Sequence, residues 1–188
     1  MKNATLCAVV MAVVLALPAA AKGKEVSGVQ FPDTVTVEGK ELKLNGAGLR
    51  KKIVFNVYAA GLYLEKTSQD AQQVIQSDQV KRVRMSMLRD LEKGKIVEAI
   101  EEGFKKNAGD KLPALQQRLE KFTAAIPDLK KGDELVLTYA PGKGTTIESK
   151  TGQKMSVEGK DFSDALFSVW LGKEPVDGSL KDGMLGKD

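Results

Sequence analysis

The chain has 188 residues, 42% hydrophobic, 29% charged and 5% aromatic, with 29 Lys and Arg against 25 acids for a formal charge of +4. That balance suits one soluble domain with its own core, and it excludes a disordered tail, a collagen repeat and a polytopic membrane protein. With no histidine and a single cysteine, it also excludes histidine acid–base catalysis, Ser-His-Asp triads and histidine-ligated metals.

The first 21 residues read as a secretory signal peptide. Lys2 gives a basic start, an apolar run extends from Leu6 to Leu17, and Pro18-Ala19-Ala20-Ala21 closes it. The run is too short for a permanent membrane span. Cleavage after Ala21 leaves a domain of residues 22–188 and removes Cys7, so the mature chain carries no disulfide and no thiol nucleophile. A thiol-free chain suits an oxidising compartment, here the periplasm.

Val35-x-Val37, Glu38-Gly39-Lys40 and Leu42-x-Leu44 predict a hairpin. Asn45-Gly46-Ala47-Gly48 reads as a turn, because three of its residues tolerate positive φ. Ile53 to Leu64 is apolar at odd and even positions alike, which predicts a central strand covered on both faces. Val83-x-Met85-x-Met87 predicts another strand, and Lys81-Arg82-x-Arg84 reads as solvated strand surface. Ile96, Ile100 and Phe104 mark one amphipathic helix, and Leu112, Leu115, Leu119, Phe122 and Ile126 a second, stopped by Pro127. Leu135, Leu137 and Tyr139 alternate as a strand that turns through Pro141-Gly142-Lys143-Gly144 into Thr145-Thr146-Ile147, and a further strand reaches Met155-x-Val157. A last helix, capped by Asp161, carries Phe162, Leu166, Val169 and Trp170 and ends at Gly172. Strands, helices, strands and a helix in that order define an α+β fold.

Few residues suggest chemistry. Pro141-Gly142-Lys143-Gly144-Thr145 lacks the spacing of a phosphate loop, and Gly46-x-Gly48 is too short for a dinucleotide fingerprint. Glu98, Glu101 and Glu102 read as the wet face of a helix. No metal or cofactor is expected. Basic residues are scattered among acids with no interleaved aromatics, so no nucleic-acid partner is expected either. Asn56 and Tyr58 are different, because they share one face of a strand that is otherwise dry. Buried polar groups need partners, and Arg50 lies just upstream. A guanidinium beside a buried phenol can clamp a carboxylate or an enolate. The alternative is structural, with Tyr58 bonded to backbone and Arg50 in water.

Gly46-Ala47-Gly48-Leu49-Arg50, followed by Tyr58-Ala59-Ala60-Gly61-Leu62-Tyr63-Leu64-Glu65, resembles the chalcone isomerase-like family. Lys95-Ile96-Val97-Glu98-Ala99 is similar to the helix after that family's catalytic loop, Ala140 to Thr145 to its late hairpin, and Phe162 to Gly172 to its last helix. The resemblance covers nearly all of residues 28–186. It implies an open-faced β-sandwich, in which a long curved antiparallel sheet carries helices on one face and a ligand cleft lies between the layers.

In the plant enzymes an arginine, a tyrosine, an asparagine and hydroxyl residues stabilise the anion formed during cofactor-free ring closure. The resemblance places the arginine at Arg50. It puts Tyr58 at a plant threonine, Glu92 near the plant tyrosine, Ala99 near the asparagine, and Ser168 or Val169 near the late hydroxyl. The arginine is kept and the Tyr–Asn pair is lost, along with the oriented donors on which such catalysis depends. The arrangement is similar instead to the plant fatty-acid-binding branch, in which an Arg–Tyr pair holds a carboxylate above an apolar tunnel. The resemblance thus implies a non-catalytic periplasmic binder of a fatty acid or similar apolar carboxylate, with Arg50, Tyr58 and Asn56 at the ligand. The alternative is an intramolecular lyase or isomerase acting on a chalcone-like enone, with Arg50 as electrophile and Tyr58 assisting.

Overall fold

In the computed structural model, which describes residues 23–150, 152 and 154–187, a short hairpin of β1 (Gly23–Val26) and β2 (Val29–Pro32) precedes the main sheet. The signal-peptide reading of residues 1–21 falls outside the described residues. The main sheet is antiparallel and curled, and its strands pair strictly in chain order: β3 (Thr34–Val37), β4 (Lys40–Lys52), β5 (Phe55–Leu64), β6 (Lys81–Met87), β7 (Glu134–Ala140), β8 (Gly144–Ser149) and β9 (Lys154–Val157). Alternation decides which side chains face the core. Leu62, Val83, Leu137 and Ile147 stand opposite one another across four strands, forming one apolar row on the inner face.

Helices cover that inner face. α1 (Ala71–Gln76) follows β5, with Asp70 capping it by accepting from the Gln72 and Gln73 amides. α2 (Lys93–Asn107) and α3 (Leu112–Ala124) follow β6, and α4 (Lys160–Leu171) and α5 (Gly178–Met184) follow β9. The predicted stripes face inward. Phe162 of α4 meets the rings of Phe104 on α2 and Phe122 on α3, each at 5.5 Å between centroids. Such buried ring pairs add about 0.5–1.5 kcal/mol each beyond their burial. On the opposite face Phe31 of β2 covers Gly61 and packs with Ala47, Ala59 and Tyr63. The architecture is the expected α+β open-faced sandwich. No helix of the described residues is long and apolar enough to cross a membrane.

Four local expectations are corrected. Asn45–Gly48 is not a turn: β4 runs through it with a bulge between Leu44 and Gly46. Its glycines serve close approach instead, since a Cβ on Gly46 would fall on the backbone of Gly183, Met184 and Gly186 around the end of α5. Ile53 and Val54 do not begin β5 but form the two-residue turn between the paired Lys52 and Phe55. Lys81 is not on a solvated face. It alternates with Arg82 and Arg84, so it points inward with Val83 and Met85 and is fully buried. Asp161 is not the cap of α4: Gly159 holds that position, and Asp161 lies in the first turn, paired with Arg118 at 2.6 Å.

Candidate ligand-binding site

The β4–β5 ladder sets the site. Arg50 stands opposite Tyr58, and the register slips by one residue between Arg50 and Lys51. The slip leaves Val57 as an extra residue in β5, so Val57 and Tyr58 both join the inner core although they are sequence neighbours. It also breaks the alternation that placed Asn56 beside Tyr58. Asn56 pairs with Lys51 and is exposed, whereas Tyr58 is buried. The structure therefore brings Arg50 and Tyr58 together and leaves Asn56 outside.

The third member of the cluster is Trp170 of α4. Its indole Nε1 donates to the Tyr58 hydroxyl at 2.9 Å. The sequence presents Trp170 only as part of an apolar stripe, yet an indole N–H on a dry helix face requires an acceptor, and that requirement is the signal that identifies it. Tyr58 thus accepts from Trp170 and keeps its own O–H for another partner. Burial pushes the Tyr58 phenol above its ordinary pKa, and the nearby Arg50 and Trp170 offset this only in part. At neutral pH it is a phenol, not a phenolate.

Arg50 is half-buried, with its guanidinium carbon 5.5 Å from the centre of the Tyr58 ring. Its Nε is shielded from water, and among the described residues nothing accepts a hydrogen bond from it. Two donors, one of them cationic, therefore lie in one cluster with bonding capacity to spare. An anion is the ligand that satisfies both.

Space lies on both sides of Arg50. Inward is an apolar crevice lined by Tyr58, Met85, Met87, Ile96, Ile100 and Trp170, with a free volume of about 20 Å³. That is room for about one water. Outward is a groove of about 370 Å³ whose walls include Lys52, Ile53, Phe55, Val57, Arg89 and Leu91. Arg50 and Leu91 border both spaces. Glu92, at the N-cap of α2, faces the groove, while Ala99 faces the crevice. Val169 rather than Ser168 reaches the crevice, and the Ser168 hydroxyl is spent on the Ala165 carbonyl at 2.6 Å.

This geometry coincides with a family assignment. Residues 23–186 match the family described as chalcone isomerase-like, and the chain belongs to that family. Among solved structures it is similar to the crystal structure of an Arabidopsis thaliana fatty-acid binding protein, with 20% identity and a TM-score of 0.67 over 85% of this chain and 92% of the plant one. At that identity the likeness establishes the fold. No curated protein matches the sequence.

Proposed function

We propose that the protein is a non-catalytic binder of a fatty acid or similar apolar carboxylate, carried to the periplasm by its first 21 residues. The carboxylate lies against Arg50 Nε and the Tyr58 hydroxyl. The observation that carries this proposal is the buried guanidinium N–H left without an acceptor beside a phenol that still has a proton to donate. The likeness to a plant fatty-acid binding protein supports the same ligand class. The tail extends from the outer groove into the crevice, which opens as Met85 and Met87 change rotamer. Unbranched thioether side chains re-pack at little energetic cost, so a crevice walled by them admits a chain that it does not hold when empty.

Calorimetric titration with tetradecanoate tests this. Arg50→Ala weakens binding by about 10- to 100-fold, the worth of a charge-assisted hydrogen bond, and Tyr58→Phe by about 3- to 10-fold. Thermal melts confirm that each variant is folded. Equal affinity for wild type and Arg50→Ala refutes the anchor. Cyclisation of a 2′-hydroxychalcone faster than in buffer, and lost in Arg50→Ala, would replace the binder by the isomerase in which Arg50 acts as electrophile.

A further inference from the structure

The tip of the β4–β5 hairpin is built against the interest of the fold. Ile53 is 88% exposed, Val54 79% and Phe55 55%, and these are the large exposed hydrophobics among the described residues. A two-residue hairpin turn with positive φ at its first position ordinarily takes glycine there. Ile53 holds that position at φ 58°. A β-branched residue in this region is strained, and at 88% exposure it gains almost no packing in exchange.

Several cations flank the tip. Lys51 and Lys52 lead into it, the Arg89 guanidinium sits 5.0 Å over the Phe55 ring, and Lys95 lines the same groove. Of the nearby acids, Asp90 is held by the Lys131 amide at 2.9 Å and by Lys130 Nζ at 3.1 Å. Glu92 faces the groove, and Glu98 pairs with Lys95 at 3.1 Å. On the other side of the hairpin Asp177 accepts from the Lys51 amide at 3.0 Å, Glu102 pairs with Lys106 at 2.7 Å, and Glu102 and Glu174 line a depression shared with Lys51 and Lys52. The result is a small apolar point whose cationic collar is Lys51, Lys52 and Arg89.

We infer that this tip docks the protein on an anionic phospholipid surface. Ile53, Val54 and Phe55 enter the boundary between head groups and acyl chains, while Lys51, Lys52 and Arg89 meet lipid phosphates. Charge complementarity selects this occupant: an apolar socket on another protein would satisfy the three hydrophobic side chains and leave the collar unmatched. The tip also walls the outer groove. A docked molecule therefore presents the groove mouth to the bilayer, so that an apolar carboxylate passes between membrane and protein without crossing water. That transfer role rests on the carboxylate-binding proposal, whereas the docking does not.

Flotation of the purified protein with vesicles tests the docking, with the N-terminus of every sample checked by mass. Wild type is expected to float with phosphatidylglycerol–phosphatidylcholine vesicles, less so in high salt, and not with phosphatidylcholine alone. Val54→Asp is expected to weaken vesicle binding by at least about tenfold. Val54 lines neither the crevice nor the groove, so tetradecanoate affinity in solution should be unchanged in that variant, with an unaltered melt. Val54→Ser, which adds no charge, should give an intermediate loss. The inference is overturned if wild type does not bind the anionic vesicles, if it binds neutral ones equally, or if Val54→Asp binds as wild type does. Vesicle binding without tetradecanoate binding would refute the carboxylate proposal and leave the docking standing.

Discussion

Arg50 and Lys81 are both cations set among apolar side chains, and the fold treats them differently. Lys81 is internally satisfied: Nζ donates to the Val74 and Ile75 carbonyls at the end of α1, at 3.2 and 2.8 Å. It lies 5.2 and 5.0 Å from the rings of Tyr139 and Phe167, with Asp164 at 3.9 Å. Burial lowers its pKa from 10.5 to about 8, and Asp164 opposes this only partly. Between those two values the unfolded chain binds a proton that the folded chain has released, so stability rises with pH in that window. Below about pH 8 the full penalty of the buried charge is present. Denaturant titrations from pH 8 to 9.5 should show wild type gaining up to about 1.4 kcal/mol per pH unit relative to Lys81→Met, which lacks the titrating group. A constant difference between the two across that range would contradict the burial penalty. Arg50, by contrast, has a buried Nε–H that finds no acceptor among the described residues, which is the opening the proposed carboxylate fills. That difference between a fully buried lysine and a half-buried arginine is why the binding role is proposed for Arg50 and not for Lys81.

Among elements, the contact of β4 with α5 and the β4–β5 tip were the least legible, for related reasons. Glycines at 46 and 48 give one signal for a turn and for close packing, and only a partner 130 or more residues away distinguishes the two. Gly46→Ala pushes the end of α5 off the strand, since the obstructing atoms are backbone and cannot rotate away. A loss of about 1–3 kcal/mol in denaturant titration is expected, and a neutral result would mean that α5 is not anchored there. Ile53 and Val54 have strand-forming side chains, so an apolar run conceals the turn inside it. For Lys81 charge and alternation give opposite answers: the charge points to solvent, the alternation places it with Val83 and Met85, and the alternation wins. The long helices need no such arbitration: stripes at spacings of three and four give both their type and the face they bury. At the tip, Ile53→Gly relieves backbone strain of about 1–3 kcal/mol at the cost of about 0.5–1 kcal/mol in chain entropy. The melting temperature should therefore rise, by about 2–4 °C for each net kcal/mol, while vesicle binding falls. A melting temperature that drops would show that Ile53 is in the turn for stability.

Across the whole molecule, the site arises where the sheet's regularity fails. One extra residue at Val57 turns Tyr58 toward α4, where Trp170 waits, and leaves Asn56 in water. Periodicity alone could not show this, because a bulge is invisible in an alternating pattern until both strands are known. Arg50 and Tyr58 were legible because a polar pair on a dry strand demands an explanation, and because the surrounding motif resembles a known family. The same arrangement supplies its own probe, since Trp170 is the single tryptophan of the chain and touches the proposed head-group site. Its fluorescence, followed during titration with tetradecanoate and separately with tetradecanol, compares ligands that differ at the head group. The acid should bind at least about tenfold more tightly than the alcohol in wild type, with the gap closing in Arg50→Ala. Equal affinities in wild type, or a gap that persists without Arg50, would contradict the guanidinium anchor.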